Sequence, residues 1–313
     1  MTSALQTIRS GGKSALARAL SSVESGFGSV DVAALLDEAV ADPQGHVLGI
    51  TGPPGVGKST LTNVLIDFWR RRGETVGVIA IDPSSQVTGG ALLGDRTRLA
   101  TDPEDTGVFV RSMAARERIG GLSDHAIAGT ALMRAAMDHV IVETVGIGQS
   151  EADVALVSDT ILLCIQPGSG DSLQFMKAGV MELPDMIAVT KADMGAFAVR
   201  ARADVEGALS LVYREKNEWS VPVSLISASN SDSIGELMER FSAHRSFLAE
   251  EERLGRRRSA QHTSWIGDYV KRRYGTEGVK KFNAIKPNGM SAATPFASMI
   301  DADQLLGFEG IRR

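Results

Sequence analysis

Residues 52–60 read Gly52-Pro53-Pro54-Gly55-Val56-Gly57-Lys58-Ser59-Thr60. Two glycines with four residues between them, Gly52 and Gly57, followed at once by Lys-Ser, form a phosphate-binding pattern. Glycine lets successive backbone N–H groups turn inward on phosphate oxygens. A helix beginning near Lys58 points its positive dipole end at the same anion. In that setting Lys58 reaches the β- and γ-phosphates and the Ser59 hydroxyl ligates Mg²⁺. The apolar stretch before the loop and the helical pattern after it supply the strand–loop–helix context the pattern needs. Gly11-Gly12-Lys13-Ser14 repeats a fragment of the motif with no strand before it, and is set aside.

Acids that follow apolar runs are the candidates to hold the metal or its water shell. Glu143 ends the run 139–143 and is the first choice, with Asp82 and Asp95 as further candidates. The lesser reading of Asp82 and Asp95 is as turn or cap aspartates. Gly146 gives close backbone approach to a γ-phosphate, where an N–H can report its presence.

A base-reading element follows the run 186–190. Thr190-Lys191-Ala192-Asp193 matches the Asn-Lys-x-Asp element of GTPases, with threonine in place of asparagine. The Asp193 carboxylate can accept from guanine N1–H and the 2-amino group together, a donor pair adenine lacks. The Lys191 stem can lie over the base. Ser227-Ala228-Ser229 follows the run 223–227 and can offer an N–H to guanine O6, or can be a plain strand-to-helix turn. GTP/GDP is the nucleotide these residues select.

Seven apolar runs position these residues: 47–51, 75–81, 108–111, 139–143, 160–165, 186–190 and 223–227. They are continuously hydrophobic, as strands buried on both faces are. Helical stretches between them, such as Leu61 to Arg72 and Asp124 to Met137, make an α/β fold. The sheet is mainly parallel and flanked by helices, the P-loop NTPase architecture, with N- and C-terminal helical extensions. Ligands of such sheets bind at the carboxyl ends of the strands. Residues 1–44 read as a helical extension, with Asp31 as N-cap of its second helix. Residues 45–245 form the nucleotide domain. Residues 246–313 form a C-terminal helical segment and tail, in which 281–313 shows no firm period. Leu237, Phe241, Leu248, Trp265, Ile266, Tyr269, Val270 and Tyr274 recur at helical spacing, an apolar stripe that suggests docking or self-association. Arg256-Arg257-Arg258 reads as a solvated face, or else a partner-binding one. Residues 167–177 are a polar, glycine-rich loop, either moving with nucleotide state or plain surface.

The 313 residues are 43% hydrophobic and 23% charged, with 33 basic against 38 acidic residues and a net charge of −5. That balance leaves no electrostatic footprint for nucleic acid or an anionic membrane. The single cysteine, Cys164, lies in an apolar run and reads as a core thiol. No apolar stretch is long enough to span a membrane, and the N-terminus lacks a signal-peptide core, so the expected location is cytoplasmic.

Together, Gly52 to Thr60, Asp82 to Ser85, Gly89 to Arg98, Arg111-Ser112-Met113, Gly120-Gly121-Leu122, Glu143 to Glu151 and Lys191-x-Asp193 resemble the MeaB/ArgK family of G proteins, to which the methylmalonic aciduria type A protein is related. The resemblance implies GTP hydrolysis coupled to loading or protecting an adenosylcobalamin-dependent mutase, methylmalonyl-CoA mutase above all. It implies a homodimer through C-terminal helices. It assigns Lys58 and Ser59 to phosphate and Mg²⁺, groups Asp82, Asp95 and Glu143 around the metal, and puts Asp193 on guanine. Gln174 and Lys177 fall in an additional mobile loop and join Lys58, Asp95 and Glu143 as catalytic candidates. Thr190 departs from the family's asparagine, which predicts modestly looser guanine binding.

Ras-like GTPases carry a glutamine directly after the Asp-x-x-Gly glycine. Here Ile147 holds that place and Gln149 comes two residues later. Slow intrinsic hydrolysis is expected, with a partner completing the site. Two alternatives remain open. A metal-delivery GTPase of the nickel-insertion type needs a His/Cys cluster, against which five scattered histidines and one cysteine speak. An ATP-dependent small-molecule kinase is opposed by Asp193.

Overall fold

The computed structural model describes residues 3–82, 99, 101–102, 104–114, 122–144, 153–168, 181–211, 218–285 and 291–307. Each of the seven apolar runs forms a strand. These are β1 (His46–Thr51), β2 (Val76–Asp82), β3 (Val108–Ala114), β4 (His139–Glu143), β5 (Thr160–Ile165), β6 (Met186–Val189) and β7 (Val223–Leu225). All pair in parallel, in the order β3-β2-β4-β1-β5-β6-β7. Every residue of β1, β4, β5 and β6 is buried, which is why these runs do not alternate. The order reverses direction around β1, so the loop leaving β1 opens into the crevice where such sheets bind ligands.

One face of the sheet carries α4 (Lys58–Arg70) and α7 (Ser231–Ala249), whose Leu61, Leu65, Trp69, Leu237 and Phe241 pack on Ile50, Val78, Ile141 and Leu162. At the β6–β7 end, α6 (Ala196–Leu209) buries Val205 against Ile165 and Ile187. The opposite face carries α5 (Asp124–Ala136) and the terminal helices α1 (Ala4–Ser10), α2 (Gly12–Gly26), α3 (Val30–Ala41), α8 (Arg253–Ile285, broken at Gly275 with φ 70°) and α9 (Pro295–Gly307). Residues from both ends of the chain share one continuous core there with Val47, Ile79 and Val142. Among the described residues no helix is long and apolar enough to cross a membrane.

Four readings of the terminal segments are corrected. The N-cap of α3 is Ser29, whose hydroxyl accepts from Val32 N, and Asp31 lies in the first turn. Residues 281–313 contain an ordered helix, α9. Its Phe296, Met299 and Ala302 are buried, and the carboxylate of Asp37 accepts from its first N–H groups, Phe296 N and Ala297 N, both at 2.9 Å. The apolar stripe is used inside the chain: Leu237, Phe241 and Leu248 on α7, and Trp265, Ile266, Tyr269 and Val270 on α8, are all buried. The basic run is not simply a solvated face. Arg256 is exposed, but Arg257 forks onto Asp185 (2.9 and 2.8 Å) and Arg258 onto the fully buried Asp159 (2.8 and 2.7 Å). Sequence spacing could not separate them, because the carboxylates that receive them lie about a hundred residues away along the chain for Asp159.

The two ends of the strands differ in character. At the N-terminal ends, His46 Nε2 lies 2.7 Å from Thr160 Oγ1, which lies 2.9 Å from His244 Nδ1. His244 Nε2 in turn faces Asp185 at 3.3 Å. Asp159 accepts from Val47 N at 2.8 Å. Polar side chains here hold strands and helices together. The C-terminal ends carry the candidate site residues.

Candidate active site

The loop between β1 and α4 runs through three glycines with positive φ: Gly52 at 135°, Gly55 at 74° and Gly57 at 100°. Those angles turn backbone N–H groups toward one concavity, the anion-binding arrangement of a P-loop. Gly52 has a second constraint. A Cβ there would lie 2.2 Å from the Cys164 carbonyl of β5, so any side chain would push the loop off the sheet. Gly57 is the N-cap of α4, which places the positive helix end under the loop. Lys58 is buried and its ammonium donates to the carbonyls of Gly52 (2.8 Å) and Pro53 (3.0 Å). Pro53 and Val56 are buried, while Pro54, Gly55 and Thr60 face outward.

Glu143 closes β4, the strand beside β1. It is buried, and both oxygens are held: Ser59 donates to Oε1 at 2.6 Å and Thr62 to Oε2 at 2.8 Å. Thr62 escaped the sequence reading. It lies three residues after Ser59, on the same helix face, and that spacing was the available signal. The Thr144 hydroxyl donates to Thr51 Oγ1 at 3.0 Å, tying the ends of β4 and β1. A hydroxyl that keeps its proton on Glu143 still has lone pairs for a cation. Ser59 and Glu143 are therefore hard oxygen donors of the kind Mg²⁺ takes when phosphates and waters supply the rest.

The second cluster lies at the ends of β6 and β7. Asp193 Oδ1 accepts from Ser227 Oγ at 3.4 Å, and Ser227 Oγ lies 3.0 Å from Ser229 Oγ. Ala228 is exposed between them. Lys191 takes up a left-handed backbone (φ 53°), and its ammonium donates to Gln166 Oε1 at 2.7 Å and to the P-loop carbonyl of Gly55 at 3.1 Å. Its stem thus bridges the two clusters. Thr190 bridges them as well. Its hydroxyl lies 2.7 Å from the Val56 carbonyl and 3.1 Å from that of Ile165. This substitute for asparagine keeps a donor on the P-loop, a role not visible from the motif.

Cys164 is fully buried beneath the loop. Burial pushes its thiol up to about 12, with Lys58 pulling down and Glu143 pushing up. It is a core residue without nucleophilic character. Asp95, Gly146, Ile147, Gln149, Gln174 and Lys177 lie outside the described residues, and Asp82 is described only as the last residue of β2. Among the described residues no three His, Cys, Asp or Glu side chains come together as a metal cluster.

A parallel sheet with this loop, this acid and a guanine-type base reader defines a P-loop GTPase. The chain belongs to the MeaB family, described as methylmalonyl-CoA mutase-associated GTPases, whose family model matches residues 16–281. It is 44% identical over 221 residues to a relative from Pyrococcus horikoshii, covering 68% of each chain. It is 33% identical over 227 residues to the mitochondrial methylmalonic aciduria type A homolog of Mus musculus, covering 71% of this chain and 54% of the mouse protein. Among solved structures it is similar to a protein titled LAO/AO transport system kinase, with 27% identity, a TM-score of 0.66 and 96% of each chain covered. The chain is accordingly a GTP hydrolase that binds a guanine nucleotide.

Proposed function

We propose that this GTPase serves an adenosylcobalamin-dependent mutase, methylmalonyl-CoA mutase foremost, in loading or protecting its cofactor. The observation that carries this reading is the family match over residues 16–281, under a description that names the mutase. The mouse relative, named for methylmalonic aciduria type A, supports the same association.

In this reading the P-loop backbone and Lys58 hold the β- and γ-phosphates, and Lys58 exchanges its contacts with Gly52 and Pro53 for phosphate oxygens. Ser59 and Glu143 hold Mg²⁺, which neutralises phosphate charge when bound. Asp193 accepts from the guanine edge. The Ser227 N–H already donates to Ser233 Oγ at 3.2 Å, so the N–H offered to guanine O6 falls to Ala228 or Ser229. Asp95, Gly146, Gln174 and Lys177 complete the proposed set around the γ-phosphate. With Ile147 in the usual glutamine position, intrinsic turnover is slow and the partner supplies what positions the attacking water. Residues 45–245 serve as the nucleotide unit, and the terminal helices carry the proposed homodimer.

GTP hydrolysis by the purified protein is measured with and without methylmalonyl-CoA mutase, with ATP as control. A rise in GTP turnover on adding mutase, absent with ATP, is expected. Turnover of tens per second without any partner overturns the partner-stimulated mechanism. Replacing Asp193 by Asn should weaken GTP about 10- to 100-fold, because the carboxylate no longer matches two donors. Undiminished GTP binding by that variant would return the ATP-dependent kinase to consideration.

A further inference from the structure

Arg134 sits in the last turn of α5, on the face of the sheet that carries the terminal helices. It is only 3% exposed, and its Nε has no hydrogen-bond partner. Among the described residues its guanidinium makes neither a hydrogen bond nor an ion pair. It lines a cavity of about 20 Å³ together with Ile127, Thr130, His262, Trp265 and Phe296, where α5, α8 and the start of α9 meet. That volume holds one species the size of a water molecule or halide ion.

The carboxylates nearby are already committed. Asp159 accepts from Arg258 Nε and Nη2 and from Val47 N, which uses both of its oxygens. Asp124 accepts from Arg272 Nη2 and from the Trp265 indole. His262 hydrogen-bonds through Nδ1 to the Ala292 carbonyl at 2.8 Å; burial, with Arg134 and Arg258 beside it, lowers its pKa to about 4 and keeps it neutral. His46 is likewise neutral near pH 7. Asp159 and Arg258 are the charges that act on Arg134, and the group of Arg134, Arg258, Asp159, His46 and His262 therefore carries one positive charge in excess. The C-terminal end of α5 offsets part of it, but a helix dipole supplies no acceptor for the Nε–H. A buried guanidinium left in this state is costly, and a bound anion removes both the unmet donor and the excess charge. Water would answer only the first.

We infer that Arg134 and its cavity form a binding site for one small monovalent anion of halide size, which fastens α8 and α9 to the nucleotide domain. The site lies on the opposite side of the sheet from α4 and is independent of the proposed mutase partnership.

Crystals grown with sodium bromide test this directly. An anomalous difference peak within hydrogen-bond reach of the Arg134 guanidinium supports the site, and a cavity without one overturns it. In solution, the thermal midpoint is compared in sodium chloride and sodium gluconate at equal ionic strength. The wild-type midpoint should rise by about 2 °C per tenfold increase in chloride above its dissociation constant. Arg134→Met should lose that dependence, because it removes the charge while filling similar volume. Retained dependence in the variant, or equal midpoints for the wild type in both salts, overturns the inference. Should Arg134→Met fail to fold, Arg134→Lys takes its place, with a weaker dependence expected because a single ammonium replaces the fork.

Discussion

Glu143 shows how much one side chain can organise. Its two oxygens are satisfied by hydroxyls from successive turns on one face of α4, so the carboxylate is fixed before any metal arrives. Glu143→Gln keeps the shape and removes the charge. GTP turnover should fall by at least about 10²-fold in a steady-state phosphate-release assay, with the thermal midpoint changed little. Thr190 makes a different point. Its hydroxyl holds the Val56 carbonyl of the P-loop, and Thr190→Val leaves that buried acceptor unmet. The expected cost is about 1–2 kcal/mol, read by calorimetry as weaker binding of GTP and GDP alike. Equal affinity in the variant would mean the hydroxyl does not support the loop. The grouping of Lys58 and Ser59 with the P-loop and Glu143, and of Asp193 with Ser227, was legible because each proposed chemistry demands its residue type at its spacing. Lys191's hold on Gln166 and the bridge from Thr190 were not, because nothing in a linear motif says which neighbour supports it, and Thr62 offered only its three-residue spacing from Ser59.

Elements were legible where burial wrote them into composition. All seven strands announced themselves as apolar runs, since a parallel strand covered on both faces has no polar side to show. The C-terminal helices were less transparent. Alanines, serine and aspartates dilute the apolar period of α9, and it stands through long-range anchors. These are the Asp37 cap at its N-terminus and Asp303, which accepts from the hydroxyls of Tyr269 and Tyr274 at 2.8 Å each. The basic run at 256–258 belongs to the same class of misreading. Three adjacent arginines on one helix have three different fates, and substitution should separate them. Arg256→Ala should stay within about 0.5 kcal/mol of wild type, as exposed positions do. Arg258→Ala should cost about 3–5 kcal/mol by stranding Asp159 in the core. Chemical denaturation reads both, and similar losses for the two would return the run to a uniformly solvated face.

For the whole molecule, the buried histidines set the response to acid. Burial is the main reason that His46 is lowered to about 4, opposed by Asp159. Its folded value lies below the unfolded one near 6.5, so the unfolded chain binds the proton more readily. The stability His46 contributes is complete above pH 6.5 and is lost as pH falls toward 4. The full shift corresponds to about 3 kcal/mol. His262, lowered to about 4 for the same main reason, adds to the slope in the same direction. Asp159, held well below the usual carboxylate range by Arg258 against its own burial, adds a further loss only below about pH 4. Thermal midpoints measured from pH 7.5 to 4.5 should therefore fall steadily below 6.5, and His46→Asn should flatten that fall. A flat profile down to pH 4.5 would contradict the neutral, buried state assigned to these rings.

Strand polarity also divides the chain's tolerance to change. Because all seven strands run the same way, the polar joinery around His46, His139, Asp159 and Thr160 lies at one rim of the sheet and the proposed nucleotide site at the other. A library of substitutions sorted by position along the strands should fall into two populations. Changes at Thr51, Glu143, Thr190 and Ser227 would yield folded protein that turns over poorly. Changes at His46, His139, Asp159, Thr160 and Asp185 would yield little protein, and what survives would hydrolyse GTP at close to the normal rate. One rim of the sheet therefore governs how much protein survives, and the other how fast the survivors work.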